Sequence, residues 1–277
     1  MNEKLDLPIW VLNLERETER RRFITQQLNE LGIDFELIKA VDKETLTTEE
    51  LSHYSKQAAF KSEARELSRD EIGCVLSHAN MWQRMVDEKI PEVLILEDDV
   101  RVSRALFDVL ANRHKFPDDA DFINFSTQAP QISFGEYISE IYRVSEHQTD
   151  ANMTSAYWIT NRGAQKLLAQ TYPIRWPADG LTGRTYMTGL VSYGIYPNVA
   201  MATETFESNI WKNSSMPLRN HFCGGLSSLY HACCYSYRIW RNAFRQTREI
   251  IVYGILKHEA KILNHSSRPI LQKEVHP

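Results

Sequence analysis

Along most of the chain, short apolar runs alternate with longer stretches in which apolar residues recur every three or four positions. Runs of the first kind predict buried strands and the second kind amphipathic helices, and their alternation predicts an α/β sheet. Residues 8–14 read as a first strand. The charged stretch from Glu15 to Arg22 opens a helix with Phe23, Ile24, Leu28 and Leu31 on its apolar face, and Gly32 stops it. Residues 35–38 resume as a strand ending at Ala40-Val41-Asp42, which completes a β-α-β unit. Thr47 with Glu50, and Ser68 with Glu71, have the spacing of capping boxes. The first starts a mostly helical region through about Arg65, and the second a longer helix burying Ile72, Val75, Leu76, Ala79, Trp82 and Val86. Val93-Leu94-Ile95-Leu96 is apolar throughout, as a strand covered on both faces requires, and it ends abruptly in Glu97-Asp98-Asp99. Beyond it, Ser103 caps a short helix through Asn112, residues 121–126 form a strand, and residues 128–148 are less regular, with strand-like pieces near Ile132 and at 141–144. Residues 155–160 are the next strand and Asn161 caps the helix after it. Asp179 precedes a helix over about 181–193, and residues 195–197 with 199–201 resemble a closing strand pair.

Composition adds a boundary. The 277 residues are 43% hydrophobic and 25% charged with net charge -4, as in an ordinary globular protein without general nucleic-acid affinity. From Lys212 onward, however, ten Lys or Arg stand against three acids, so the tail carries +7 and the remainder -11. The predicted organisation is therefore a catalytic body, residues 1–211, and a basic helical extension, residues 212–277. Residues 237–251 repeat Arg every three to four positions beside Ile239, Trp240 and Phe244, the pattern of a basic amphipathic helix. Such a helix lies at an anionic leaflet or packs on the body with its charges in water. The first residues lack the basic and apolar regions of a secretory signal, and the longest apolar stretch of the tail is far short of the ~20 residues of a spanning helix. Four cysteines form no disulfide framework. These features predict a cytoplasmic protein. The cluster His221, Cys223, His231, Cys233 and Cys234 has the residue types of a zinc site, against which stands a spacing that is not that of a standard finger.

The candidate chemistry gathers at the end of the acidic strand. In open α/β sheets ligands bind at the carboxyl ends of the strands, and clustered acids there repel one another unless a cation offsets them. Oxygen ligands suit Mg²⁺ or Mn²⁺, which hold substrate phosphates as well. An exposed acidic turn would read the same way. Asn13 and Arg16 reach the same edge if the strands are parallel, and arginine there suits a diphosphate. Solvated Glu/Arg pairing explains Arg20 to Arg22 equally well. Glu71, Cys74, His78 and Trp82 share a helix stripe, from which Glu71, Ser77 or His78 can point at a ligand. Glu71 has a simpler role in its cap, and His78 in the core. Asp179, fixed after Pro177, is placed for general-base work or as a helix cap. No P-loop, dinucleotide fingerprint or nucleophile elbow is present, so the kinase, dehydrogenase and α/β-hydrolase readings lose most of their support.

Taken together, the motifs resemble glycosyltransferase family 25, the lipopolysaccharide or lipooligosaccharide glycosyltransferases. The resemblance rests on Val11-Leu12-Asn13-Leu14 with Arg16 and Glu19-Arg20-Arg21, on Ala40-Val41-Asp42, and on Glu71-Ile72-Gly73-Cys74 with Ser77-His78 and Trp82. It continues through Leu94 to Val100, Ala156-Tyr157, Gly163-Ala164, Pro177-Ala178-Asp179 and Glu207-Ser208. It implies a GT-A-like, Rossmann-type nucleotide-sugar domain with a mostly parallel central sheet. The implied reaction moves a hexose, most often galactose, from a UDP-sugar to a lipooligosaccharide acceptor at the inner membrane, with inversion at the anomeric carbon as the family's usual outcome. Asp99 with Glu97 or Asp98 would bind Mn²⁺ or Mg²⁺, while Asn13, Arg16, Arg20, Asp42, Glu71, Ser77, His78, Glu97 and Asp98 would surround the nucleotide sugar. Asp179, with Glu207 second, would be the base. Lys43 replaces the expected glycine, Gly180 a bulkier residue and Asn209 an aspartate. The competing readings of the acidic strand end are a receiver-type signalling module, for which no later phosphoacceptor Asp and Lys are evident, and a metal-dependent phosphoesterase, for which a His-rich set is missing.

Overall fold

The computed structural model describes residues 5–126, 131–147, 151–203 and 206. Glu207, Asn209, the His/Cys cluster, the basic helix and the boundary between residues 211 and 212 lie outside the described residues. In chain order the elements are β1 (Ile9–Asn13), α1 (Thr18–Glu30), β2 (Glu36–Lys39), α2 (Thr48–Ser52), α3 (Lys56–Glu63), α4 (Arg69–Asp87), β3 (Glu92–Glu97), β4 (Val100–Val102) and α5 (Arg104–Ala111). There follow β5 (Phe122–Asn124), β6 (Gln131–Tyr137), β7 (Arg143–His147), β8 (Ala156–Thr160), α6 (Asn161–Thr171), α7 (Ala178–Gly183), α8 (Thr185–Thr188), β9 (Ser192–Tyr196) and β10 (Ala200–Ala202).

Eight strands form one sheet in the order β2-β1-β3-β8-β5-β9-β7-β6. β1 lies parallel to both β2 and β3, and β5 parallel to β9, whereas β8 and β7 run against the other six. The sheet is thus mostly parallel in direction, and the α/β, Rossmann-type architecture expected from the sequence is the one the chain adopts. The apolar run of β3 supplies both faces. Leu94 and Leu96 pack with Ile24 and Leu28 of α1 and with α5, while Val93 and Ile95 pack with α4 and α6. All four are fully buried. No described helix is long and apolar enough to cross a membrane.

Both capping boxes form as the sequence predicts. Four local expectations are corrected. The helical region after Thr47 breaks at Tyr54, which bridges to Ile174, and Ser55 caps the second piece. Thr160, not Asn161, caps α6; Asn161 instead donates its amide to Met85 and Ile90 carbonyls, at 2.7 and 3.0 Å, and locks the end of α4. The helix expected over 181–193 is the pair α7 and α8, stopped at Gly189 with φ +69°, so that the chain re-enters the sheet as β9. Finally, β10 pairs with β4 beside the acidic turn and not with β9.

Candidate active site

Leu12 stands opposite Glu97 in the parallel β1–β3 ladder, so Asn13 and the acids leave the sheet at one rim. A cleft of about 130 Å³ opens there, bordered by Arg16, Arg20, Lys43, Cys74, Ser77 and the three acids. Ligand pockets are commonly about 300–1,000 Å³, so this one suits a diphosphate-sized group with the rest of a larger ligand outside it. A larger cavity of about 650 Å³ lies at the opposite end, where β1 and β2 begin, among Leu7, Trp10, Phe35 and Phe107. Ligands of open α/β sheets bind at the other end of the strands.

The three acids have different surroundings. Asp98 is buried, accepting from Asn13 Nδ2 at 2.6 Å and from Arg20 at 3.2 Å. Asn13 is fixed in turn by Arg21, whose Nε donates to its Oδ1 at 2.9 Å. Burial raises the Asp98 pKa, opposed by Asn13 and Arg20. Asp99 accepts from Arg20 at 3.0 Å through Oδ2, but its buried Oδ1 has no hydrogen-bond partner among the described residues. Burial and the neighbouring Glu97 charge push its pKa up to about 7. An orphaned carboxylate oxygen amid three successive acids is a setting that a divalent cation fits, and hard oxygen donors suit Mn²⁺ or Mg²⁺.

Glu97 is tuned the other way. Burial would raise its pKa, yet His78 and Thr154 hold it below the usual carboxylate range, with Thr154 Oγ1 donating at 2.6 Å. His78 is fully buried, with Nδ1 2.9 Å from the Tyr157 hydroxyl and Nε2 3.3 Å from Glu97. Trp82 Nε1 can only donate, and it does so to Tyr157 at 3.1 Å. Tyr157 therefore has its own proton to give to Nδ1, which leaves the imidazole proton on Nε2, facing Glu97. The chain from Trp82 through Tyr157 and His78 orients one Glu97 oxygen and leaves the other for the cleft.

The remaining candidates divide between the rim and its supports. Arg16 reaches the rim paired with Asp42, which also caps the turn after β2 by accepting from Glu44 N at 3.0 Å. Ser77 holds that turn against α4, accepting from Val41 N at 2.8 Å and donating to Gly73 O at 2.7 Å. Only glycine fits at 73, because a Cβ there would stand 2.9 Å from Val41 O. Glu71 accepts from Arg65 at 2.6 and 2.8 Å and from Ser68 N at 2.8 Å. Burial favours its protonation, but these bonds keep its pKa below the usual value. Asp179 sits in the first turn of α7, where burial raises its pKa and the charges of Arg184, Glu63 and Glu71 act on it. It does not cap the helix; Pro177 holds the cap position. Thr154 and Arg65 were not singled out by the sequence. Lys43 stands where the family pattern led us to expect glycine, and its ammonium pairs with Asp70 at 2.9 Å at the cleft edge.

With this arrangement in view, the sequence model of glycosyltransferase family 25 (LPS biosynthesis protein) matches residues 6–182, which include every described element from β1 through most of α7. The chain belongs to glycosyltransferase family 25. Family 25 membership supports the GT-A-like expectation for the sheet and sets aside the receiver and phosphoesterase readings. Relatives include a glycosyltransferase 25 family member of Anopheles gambiae, 35% identical over 180 residues (61% of this chain, 30% of its own). Another is procollagen galactosyltransferase 2 of Mus musculus, 29% identical over 169 residues (58% and 27%). This family 25 chain therefore spans less than a third of the length of these curated relatives. A solved glycosyltransferase involved in the glycosylation of the major capsid of PBCV-1 aligns at 13% identity and TM-score 0.29, over 59% of this chain and 65% of its own, too distant to carry an argument.

Proposed function

We propose that this chain transfers a hexose, galactose foremost, from a UDP-sugar to a glycan acceptor, with the acid rim holding Mn²⁺ or Mg²⁺. The observation that carries the reading is the orphaned Asp99 oxygen among three acids, faced by Arg16, Arg20 and Lys43 at the carboxyl ends of the strands. Family membership and relatives named as galactosyltransferases support it. Asp99 and Glu97, with Asp98 beside them, would hold the ion, which when bound neutralises diphosphate charge and so eases departure of UDP. Arg16, Arg20 and Lys43 bind the phosphates by direct charge, and Asn13 keeps Asp98 in place. In an inverting transfer the acceptor oxygen attacks the anomeric carbon as the bond to the diphosphate breaks on the opposite face. Asp179 takes the hydroxyl proton, a role that its raised pKa favours. Glu207 is the second candidate for that base.

The decisive experiment offers the protein a panel of UDP-sugars with Mn²⁺ and reads binding by calorimetry and UDP release. One UDP-hexose is expected to bind in a metal-dependent way, with binding abolished in Asp99→Ala; no binding to any UDP-sugar discards the reading. For the acceptor, the family description and the basic tail support a lipooligosaccharide or lipopolysaccharide at the cytoplasmic face of the inner membrane. The names of the relatives favour a procollagen-type polypeptide instead, and the same assay with each acceptor decides between them. If residues 212–277 provide the membrane contact, co-sedimentation with anionic liposomes is lost when they are removed. Unchanged binding of the truncated protein eliminates that role.

A further inference from the structure

The hard-cation rim has a softer neighbour. Cys74 lies one helical turn before His78 on α4, and Glu97 ends β3 beneath them. One ligand atom from each of the three lies within 4.8 Å of the other two. The His78 Nε2 to Glu97 Oε1 separation is 3.3 Å. In a tetrahedral zinc site with bonds of about 2.0–2.1 Å to nitrogen and oxygen, the edge between two such ligands is also about 3.3 Å. The supporting bonds of a metal site are in place as well. Thr154 fixes the carboxylate, and Tyr157 fixes the far side of the imidazole at 2.9 Å.

We propose that Cys74, His78 and Glu97 form a binding site for a borderline-soft divalent ion of the zinc type, with its fourth position open to the cleft. The donor set sorts ions by chemistry. A thiolate and an imidazole favour Zn²⁺ or Co²⁺, whereas Mn²⁺ and Mg²⁺ prefer the all-oxygen side at Asp98 and Asp99. Both sites draw on the Glu97 carboxylate, so if the acid rim holds Mn²⁺ as proposed above, the two ions compete for its charge. The protons balance as follows. Cys74 gives up its thiol proton to bulk water on forming the sulfur–metal bond. The imidazole proton moves from Nε2 to Nδ1, where the Tyr157 oxygen accepts it beside the Trp82 N–H. One proton is released per ion bound. The site does not depend on the transferase reading, since no sugar or nucleotide takes part in it.

Titration of the full chain with Co²⁺ tests it. One equivalent is expected to give a near-ultraviolet thiolate-to-cobalt charge-transfer band with intense visible bands of a four-coordinate ion, discharged by Zn²⁺, absent in Cys74→Ser and retained in Asp99→Asn. Cobalt binding without the thiolate band overturns the proposal. So does a band that persists in Cys74→Ser, because Cys223, Cys233 or Cys234 must then supply it. A second measurement needs no variant: mass-mapped alkylation of Cys74 in the native protein is expected to slow at least tenfold with Zn²⁺ and to be unaffected by Mg²⁺. Equal rates with and without Zn²⁺ exclude the site.

Discussion

Three neighbouring acids in this chain behave as three different groups. Glu97 is held ionised, Asp98 is tied to Asn13 and Arg20, and Asp99 keeps a proton up to about pH 7. An acid whose folded pKa exceeds its unfolded value stabilises the fold fully below the unfolded value, 3.8 here, and loses that contribution as pH rises through the folded one. In metal-free solution, Asp99→Asn should therefore gain on the wild type between pH 4 and 7 and hold a constant lead above that. Melting temperatures across this range measure the gap, at roughly 2–4 °C per kcal/mol for a chain of this size. Mn²⁺ should close it by stabilising the wild type alone, and a gap independent of pH refutes the assignment. The sequence revealed the acids because an apolar strand ended on them, and Asn13 and Arg16 because a second strand ended beside them. It could not reveal Thr154 or Arg65. Neither lies in a periodic pattern, and each meets its carboxylate only through tertiary packing.

Helix α4 carries most of what the rim rests on. Its polar stripe supplies Glu71, Cys74, Ser77 and His78, while its apolar face buries Ile72, Val75, Leu76, Ala79 and Trp82 against the sheet. Period and cap made this element legible from the sequence with most of its inward face; Met81 and Met85 are buried as well, and Val86 is only half-buried. The pieces around Asp179 were less legible, because a left-handed Gly189 and a non-helical Arg184 break a run whose composition is compatible with one helix. Helix α6, packed beside α4, shows how tightly the elements close. A Cβ on Gly163 would lie 2.6 Å from the Asp121 carbonyl, backbone against backbone. Gly163→Ala is expected to lower stability by about 1–3 kcal/mol, since the strain of overpacking exceeds the gain in helix propensity. Urea unfolding measures this, and a variant as stable as the wild type shows that α6 can shift freely.

Across the described residues, the sheet divides the support and the rim joins it. Helices α4 and α6 cover one face and carry the His78 chain, α1 and α5 close the second core, and the cleft at the rim takes Arg20 from α1 as well as Cys74 and Ser77 from α4. Asp121 ties distant parts together: fully buried, it pairs with Arg162 and Lys166 of α6 and accepts from Val191 N at 2.8 Å, just before β9. Burial works against its ionisation, but these partners bring its pKa below the usual value, so its contribution is present above pH 3.8 and fades as pH falls through the folded pKa. Asp121→Asn should lose about 1–3 kcal/mol at pH 7, a figure tempered by the exposure of both cations, and much less at pH 3. Chemical unfolding at the two pH values checks it; an equal loss at both excludes the ionic contribution. Strand direction was only partly legible, because the apolar run of residues 155–160 is equally compatible with either orientation. Its reversal has a consequence during synthesis. Until β8 emerges, β3 is an edge strand, apolar on both sides and unpaired along one, and β5 has no neighbour through which to join it. For the time taken to make the roughly sixty residues between them, the nascent chain carries an adhesive border. A folding helper on the ribosome would have that interval in which to shield it.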